Sequence, residues 1–350
     1  MVILELLKHI GGSSGTDEAG RIIRALDQAS EREFVWAIEA GLGPMLLRAT
    51  RDHLADIRES RHEILLSSDL TARLRHGLRV DTAKEVIDVC ASVGTTATLL
   101  KGISISEQYY PAGHLRTMSD VDVLLPAEAH PAVTAGLLAR GYTRGIDMMG
   151  EDPHHDVPLN DPTGTVWVEL HTRLYPRSSG LLDGGVFGSA NVLAQTVRSE
   201  FHGLQVNRLT PEFQLAYIAS SWMHDLTLFK VHPSFVTPLF DALLLLRATG
   251  QDLRWERLFG FLDNALAQSS LYALLTYLAR RRLCEPSAGH DLGQRQHLVG
   301  PLELRAMHAM IDRYVVGGRY WNLPIPPPVP GRYNLRRQLR KRWSIRRLRA

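Results

Sequence analysis

The chain has 350 residues, of which 45% are hydrophobic, and its formal net charge at pH 7 is +3. A chain of this length can bury a substantial core and is predicted to form two or three domains or subdomains. The longest apolar run, Leu243–Leu246, is far too short to cross a bilayer, so the sequence predicts no transmembrane helix. Its start lacks the basic residues and long apolar run of a secretory signal, and we expect a cytoplasmic protein.

Two sequence features narrow the class of protein further. The two cysteines, Cys90 and Cys284, have no metal-ligand spacing, which excludes a disulfide framework and a cysteine-rich zinc site. Residues 332–350 contain nine Lys or Arg and no acid, and subtracting these nine charges from the net +3 leaves −6 for the other residues. This basic tail fits contact with nucleic acid, an anionic membrane surface or an acidic partner, and it equally fits a solvated end.

The first part of the chain, residues 1–80, is predicted to be a helical subdomain. Ser30 and Glu33 have the spacing of a capping box, followed by apolar residues at helical intervals. A further helix is predicted over 81–94, where Gly94 ends it.

Residues 81–205 are predicted to form a small mixed sheet flanked by helices. After the helix at 81–94, a β-branched and apolar run enters a Lys-Gly turn, and a helix follows. Turn residues separate the later segments. The predicted strands are 95–100, 121–125, 155–159 and 166–171, and the predicted helices between them are 103–110 and 131–140.

Strand signals fade beyond residue 205, and residues 206–322 are predicted to form an all-helical unit. Thr210 and Pro211 have the pattern of a cap followed by proline in the first turn. Further helices are predicted at 238–248, 255–265, 271–282 and 302–315. Residues 323–350 are predicted to be a spacer with five prolines in nine residues, followed by the basic tail. The whole pattern predicts an α+β fold.

Three acids of the central region could converge on one point. Asp120 and Asp122 lie one residue apart on a predicted strand, so their side chains point to the same face. Glu169 lies on another predicted strand and joins them if the two strands are neighbours. Three carboxylates on a rigid sheet are the ligands that Mg²⁺ prefers in phosphate chemistry. The alternative is that the acids of the first strand are solvated, but like charges brought this close call for a cation.

The order of the motifs in this region resembles a known family. The motifs are LLKG at 99–102, YYP at 109–111, RTMSDVDVLL at 116–125, GY at 141–142 and VELH at 168–171. Together they resemble the uncharacterised bacterial nucleotidyltransferases of the DNA polymerase beta-like superfamily, over roughly residues 20–320. The resemblance implies a minimal nucleotidyltransferase core in which Asp120 and Asp122 bind Mg²⁺ or Mn²⁺ and Glu169 is the third acid.

The activity implied by the resemblance is transfer of a nucleoside monophosphate from an NTP, with ATP expected, to an acceptor hydroxyl, with release of pyrophosphate. Lys101, Gly102, Ser104 and Arg116 are the candidates for contacting the triphosphate. The wider superfamily has a Gly-Ser pair before the acids, whereas here Lys101-Gly102 precedes Ile103-Ser104. Either Lys101 or Ser104 could therefore supply the phosphate contact, and Arg116 could instead be an ordinary surface arginine.

Several histidines have less specific interpretations. His171 could orient Glu169, contact substrate or simply pack in the sheet. His224 and Asp241 could line an acceptor pocket. The adjacent pair His224-Asp225, with Asp241 downstream, could instead belong to an HD-type metal phosphohydrolase, but the further histidine that such a site needs has no convincing position in the sequence. The cluster at 154–156 has no partner at a diagnostic zinc spacing.

A different class of function also remains open at this point. A non-catalytic binding or maturation protein could keep the same fold and use its helical units and basic tail to hold a peptide or a nucleic acid. No P-loop, dinucleotide-binding, zincin or serine-hydrolase motif is present.

Overall fold

The computed structural model describes most of the chain, in the ranges 1–11, 18–145, 157–228, 230–284, 298–319 and residue 325. Within these ranges helices surround a seven-stranded mixed sheet, so the predicted α+β class is confirmed. The cluster at 154–156, the basic tail at 332–350 and most of the proline-rich spacer lie outside the described residues.

The amino-terminal part is helical, as predicted. Ser30 caps α3, because its hydroxyl accepts a hydrogen bond from the Glu33 N–H at 3.3 Å while the Glu33 carboxylate accepts one from the Ser30 N–H, so the capping box is confirmed. The helices here are α1 (Val2–Gly11), α2 (Glu18–Gln28), α3 (Glu31–Glu39), α4 (Gly43–Ala49) and α5 (Glu59–Ser92).

Helix α5 is one continuous helix of 34 residues. The helix predicted over 81–94 is its last part, because no proline interrupts the sequence before it. Leu65 packs into the helical cluster and Val86 into the cluster under the sheet, so α5 connects the two. It ends at Ser92, just before the predicted stop at Gly94, whose φ of 74° is a left-handed conformation that favours glycine.

The sheet has the strand order β3-β4-β5-β2-β1-β7-β6. The central pair β2 and β5 is parallel, and β1 is antiparallel to β2 but parallel to β7. Helix α6 follows β1 directly, and α7 follows β2, as predicted. The strands are β1 (Thr98–Leu99), β2 (Asp120–Leu124), β3 (Thr143–Arg144), β4 (Leu159–Asn160), β5 (Trp167–His171), β6 (Thr196–Phe201) and β7 (Leu204–Leu209), and the helices are α6 (Lys101–Tyr109) and α7 (His130–Ala139).

The hairpin of β6 and β7 was not predicted from the sequence. Its two-residue turn is His202-Gly203, with φ angles of 48° and 85°. Positive φ at both central residues is the geometry of a tight hairpin turn. The sheet therefore continues to Leu209, beyond residue 205.

The last part is helical, as predicted, and α9 begins at Pro211. The predicted helices appear with shifted ends. They are α9 (Pro211–Leu228), α10 (Thr237–Thr249), α11 (Trp255–Gly260), α12 (Ala265–Arg280) and α13 (Pro301–Met310), which continues as a π-helical segment over Ile311–Val316. A short helix that was not predicted, α8 (Ser189–Ala194), precedes β6. Short 3-10 helices cover Arg51–Asp56, Gly113–Leu115, Arg177–Ser179, Pro233–Val236 and Gly250–Asp252.

Helices from the two ends of the chain share one hydrophobic core. Leu6 and Leu7 of α1 belong to the same buried cluster as Leu245 of α10, and Arg247 donates a hydrogen bond to the Ile10 carbonyl at 3.0 Å. A second cluster lies between the sheet and the helices α5 and α7. Among the described residues, no helix combines the length and the apolar character needed to span a membrane.

Candidate active site

The sheet brings the predicted acids onto one face. Strands β2 and β5 are parallel neighbours in which Asp122 pairs with Glu169 and Asp120 with Trp167. Side chains alternate along a strand, so Asp120, Asp122 and Glu169 share a face. The opposite face is apolar, because Val121, Val123, Val168 and Leu170 are buried in the cluster under the sheet. The predicted neighbourhood of the two strands is confirmed.

Asp122 lies at the centre of a dense polar cluster. Its Oδ1 accepts hydrogen bonds from Lys101 Nζ at 2.6 Å and from His171 Nε2 at 2.8 Å. Glu169 Oε2 lies 3.7 Å from Lys101 Nζ and 3.4 Å from His171 Nε2. Asp122 is 1% exposed and His171 is fully buried. The imidazole therefore lies under the carboxylates and orients them, and of the roles open to it the orienting one fits its position.

Burial and neighbouring charges act differently on the two aspartates. Burial alone would raise the pKa of Asp122, but the Lys101 ammonium and the His171 hydrogen bond hold it well below its usual range. Burial, followed by repulsion from Asp122, raises the pKa of Asp120 to about 6. Burial alone would lower the pKa of Lys101, but the combined attraction of its acidic neighbours, Asp122 foremost, outweighs burial and raises it. The cluster therefore holds more negative than positive charge.

The donor atoms fit a divalent cation. Asp122, Glu169 and His171 each offer one ligand atom, and these atoms lie within 4.8 Å of one another. Asp120 lies on the same strand face and repels Asp122 and Glu169 electrostatically. Carboxylate oxygens are the ligands that Mg²⁺ and Mn²⁺ take, and one ammonium does not neutralise three carboxylates.

A cleft of about 880 Å³ opens beside Asp120 and Asp122. Its volume lies in the range that small-molecule sites occupy. Lys101, Gly102, Asp120 and Asp122 form its floor, and α5 contributes one wall. Basic side chains line the cleft at Arg75, His76, Arg79, Arg116 and His232.

Arg79 was missed by the sequence analysis. It is 6% exposed, and it donates hydrogen bonds to the carbonyls of Arg75 at 2.7 Å and Ser119 at 3.1 Å. Burial lowers its pKa, while the charge of Asp120 acts in the opposite direction. In the sequence it is one of several arginines of a long helix, and only the packing of α5 beside β2 distinguishes it.

Lys101, Gly102 and Ser104, at the Lys-Gly turn and the start of α6, differ in their access to the cleft. A Cβ added to Gly102 would lie 2.7 Å from Arg116 Nη1 and 3.0 Å from Met118 Cβ, so glycine is required by close approach. Ser104 is fully buried, and its hydroxyl accepts a hydrogen bond from Gln108 at 2.9 Å. Ser104 does not line the cleft, whereas Lys101 does. Of the two candidates for the phosphate contact, Lys101 is the better placed.

Arg116 lines the cleft but is held by Asp241. Its Nε and Nη2 donate to the two carboxylate oxygens of Asp241, each at 2.8 Å, and Tyr110 also donates to Asp241 at 2.8 Å. Asp241 is 2% exposed. This buried bidentate pair fixes the segment before β2 to α10.

His224 lies apart from this group. It is 3.7 Å from Asp225, and its ring packs 5.9 Å from that of Tyr175. It does not line the cleft, and it shares no contact with Asp241. Of the residues named for an HD-type hydrolase, His224 and Asp225 lie together, whereas Asp241 pairs with Arg116 instead.

Comparisons with known proteins gave three results. A crystal structure of an antigenic nucleotidyltransferase-like protein from Paracoccidioides brasiliensis is similar at 14% identity and a TM-score of 0.35, covering 62% of this chain and 96% of that chain. Comparison with the curated proteins finds no significant match. A family model described as uncharacterised nucleotidyltransferase matches residues 29–283, a range that includes the cleft floor and all three acids. The chain belongs to this family of uncharacterised nucleotidyltransferases, as its motif order implied.

Proposed function

We propose that the protein is a divalent-metal-dependent nucleotidyltransferase that moves a nucleoside monophosphate, with ATP as the expected donor, to an acceptor hydroxyl. The observation that carries the proposal is the direct pairing of Asp122 with Glu169 on parallel strands beside a cleft with basic walls. Membership of the family supports the reaction class.

Asp120, Asp122 and Glu169 are the residues that would hold the metal. When bound, Mg²⁺ or Mn²⁺ would supply charge stabilisation at the transferred phosphoryl group and the leaving oxygen. The attacking oxygen forms a bond to the α-phosphorus, the bond from the α-phosphorus to the bridging oxygen breaks, and pyrophosphate leaves. Glu169, which is partly exposed, is suited to accept the proton of the attacking hydroxyl.

The basic side chains of the cleft would bind the triphosphate. Lys101 and Arg75 line the same cleft as Asp120, and the first turn of α6 presents backbone N–H groups there. Arg79 fixes the Ser119 carbonyl and with it the backbone that leads into Asp120. Arg116 shares its charge with Asp241, so it offers the triphosphate less than Lys101 does. Positioning and charge stabilisation would supply most of the catalysis.

The test is turnover of ATP labelled at the α-phosphate, with Mg²⁺ or Mn²⁺ and a panel of hydroxyl-bearing acceptors including peptides, small molecules and RNA ends. We expect labelled acceptor and one pyrophosphate for each transfer. Asp122→Asn should lower the rate by about a hundredfold or more, because it removes a charge from the centre of the cluster.

Asp88→Asn is the matched control, since Asp88 is exposed on α5 and does not line the cleft. It should turn over like the wild type. Absence of nucleotide binding and of pyrophosphate release in the wild type would contradict the proposal. If partner binding also proved unchanged in Asp122→Asn, the non-catalytic binding protein would be favoured.

A further inference from the structure

Lys101 has an unusual backbone for the residue that begins a helix. Its φ is 40°, in the left-handed region. The other non-glycine residues with positive φ in the described ranges are His202, in the hairpin turn, and Arg282, just after α12, where the chain reverses or a helix ends. Lys101 adopts this conformation at the turn from β1 into α6, as the first residue of the helix. Strained backbone of this kind collects at functional sites.

The side chain of Lys101 ends inside the carboxylate cluster. Its ammonium lies 2.6 Å from Asp122 Oδ1 and 3.7 Å from Glu169 Oε2. The side chain is still 35% exposed and lines the cleft, whereas Asp122 is 1% exposed. The ammonium therefore has a route from the carboxylates to the cleft that requires no change in the buried strands.

The ammonium and a divalent cation would compete for the same two carboxylates, Asp122 and Glu169. Asp122 Oδ1 already accepts two hydrogen bonds, from Lys101 and from His171. A carboxylate oxygen has two lone pairs, and an ion that bound this atom would have to replace one donor. His171 is fully buried and has no room to leave, so Lys101 is the donor that can withdraw.

We propose that Lys101 is an exchangeable internal cation. It neutralises Asp122 and Glu169 while no divalent ion is bound, and it moves into the cleft to meet the triphosphate when an ion takes its place. Metal binding and nucleotide binding are then coupled through one side chain, because each frees or uses the same ammonium. This inference rests on the proposed function.

The experiment measures Mn²⁺ affinity by electron paramagnetic resonance at pH 8, in wild type and in Lys101→Met. Methionine keeps much of the length of the side chain and removes its charge. We expect Lys101→Met to bind Mn²⁺ about tenfold more tightly, because no ammonium competes for the carboxylates. In the presence of Mn²⁺ it should bind the α,β-methylene analogue of ATP about tenfold more weakly.

Lys84→Met is the control, because it removes a lysine charge from α5 whose partner is Asp81, 3.8 Å away. It should match the wild type in both affinities. Thermal unfolding supplies a second measurement. Metal-free Lys101→Met should unfold at a lower temperature than wild type, and added Mn²⁺ should raise its unfolding temperature more than that of wild type.

Each outcome decides the inference. Unchanged or weaker Mn²⁺ affinity in folded Lys101→Met overturns it, while loss of Mn²⁺ binding in Asp122→Asn leaves the proposed function intact. If neither the wild type nor Lys101→Met binds Mn²⁺, both the inference and the proposed metal site fail. Binding that appears only in Lys101→Met supports the exchange directly.

Discussion

The side chain of a single residue, His171, connects the two central strands β2 and β5. Its Nε2 reaches both Asp122 and Glu169, at 2.8 and 3.4 Å. Burial alone would lower its pKa, but the hydrogen bonds to Asp122 and Glu169 together outweigh burial and raise it. A protonated imidazole would hold both carboxylates at once. His171 is thus a positioning residue, which acts on the site through the acids.

A second buried histidine gives a pH-dependence prediction far from the acids. His308 is 3% exposed, lies 3.2 Å from the Ala273 carbonyl, and has its pKa lowered to about 4 by burial. Between pH 6.5 and 4 the unfolded chain takes up a proton at this side chain that the folded protein does not. The free energy of unfolding therefore falls as pH is lowered through this window, by up to about 3 kcal/mol.

The substitution that tests this is His308→Gln, which keeps a hydrogen-bond donor but does not titrate. We expect its urea-unfolding free energy to fall less between pH 6.5 and 4 than that of wild type. The control is the unfolding free energy of His308→Gln itself above pH 7, where the wild-type imidazole is neutral in the folded protein. An identical acid slope in His308→Gln and wild type would contradict the prediction.

Among the secondary-structure elements, helix α5 sets the geometry of the cleft. Its first part packs on the helical core and its second part packs under the sheet. Because α5 is one continuous helix, it fixes the position of the cleft wall relative to β2. Arg79 is the contact at which this wall meets the site, through its hydrogen bond to the Ser119 carbonyl.

Arg79→Met should therefore weaken the site without touching its acids. We expect a ten- to hundredfold loss in kcat/KM for ATP, since a buried charged hydrogen bond is worth about 1.5–3 kcal/mol. Arg73→Met is the matched control, because Arg73 lies on the same helix, pairs with Asp69 and is 58% exposed. Equal kcat/KM in Arg79→Met and Arg73→Met would show that α5 does not position Asp120.

The elements differ in how much of them the sequence could predict. The acids on β2 and β5 were predictable, because period-two alternation and apolar neighbours are local signals. The hairpin of β6 and β7 was not, since its polar, exposed β6 carries little hydrophobic alternation and its turn begins with His202. Arg79 and the Arg116–Asp241 pair depend on packing between distant segments, which no local pattern encodes.

The whole molecule surrounds its sheet with helices from both ends of the chain. α1 and α10 share one core, and α10 also supplies Asp241, which holds Arg116 beside the cleft. Breaking such a pair on one side leaves a buried charge without its partner. The Arg116–Asp241 pair therefore joins the cleft to the helical core, and the position of Arg116 depends on the packing of α10.

Asp122 and Glu169, with Asp120, form the divalent-metal site that we propose. Its most direct test is the Mn²⁺ dissociation constant of wild type, Asp122→Asn, Glu169→Gln and the control Asp88→Asn, measured by electron paramagnetic resonance at one pH. We expect Asp122→Asn and Glu169→Gln each to weaken Mn²⁺ binding by about tenfold or more, while Asp88→Asn matches wild type. Equal Mn²⁺ affinity in all four proteins would contradict it.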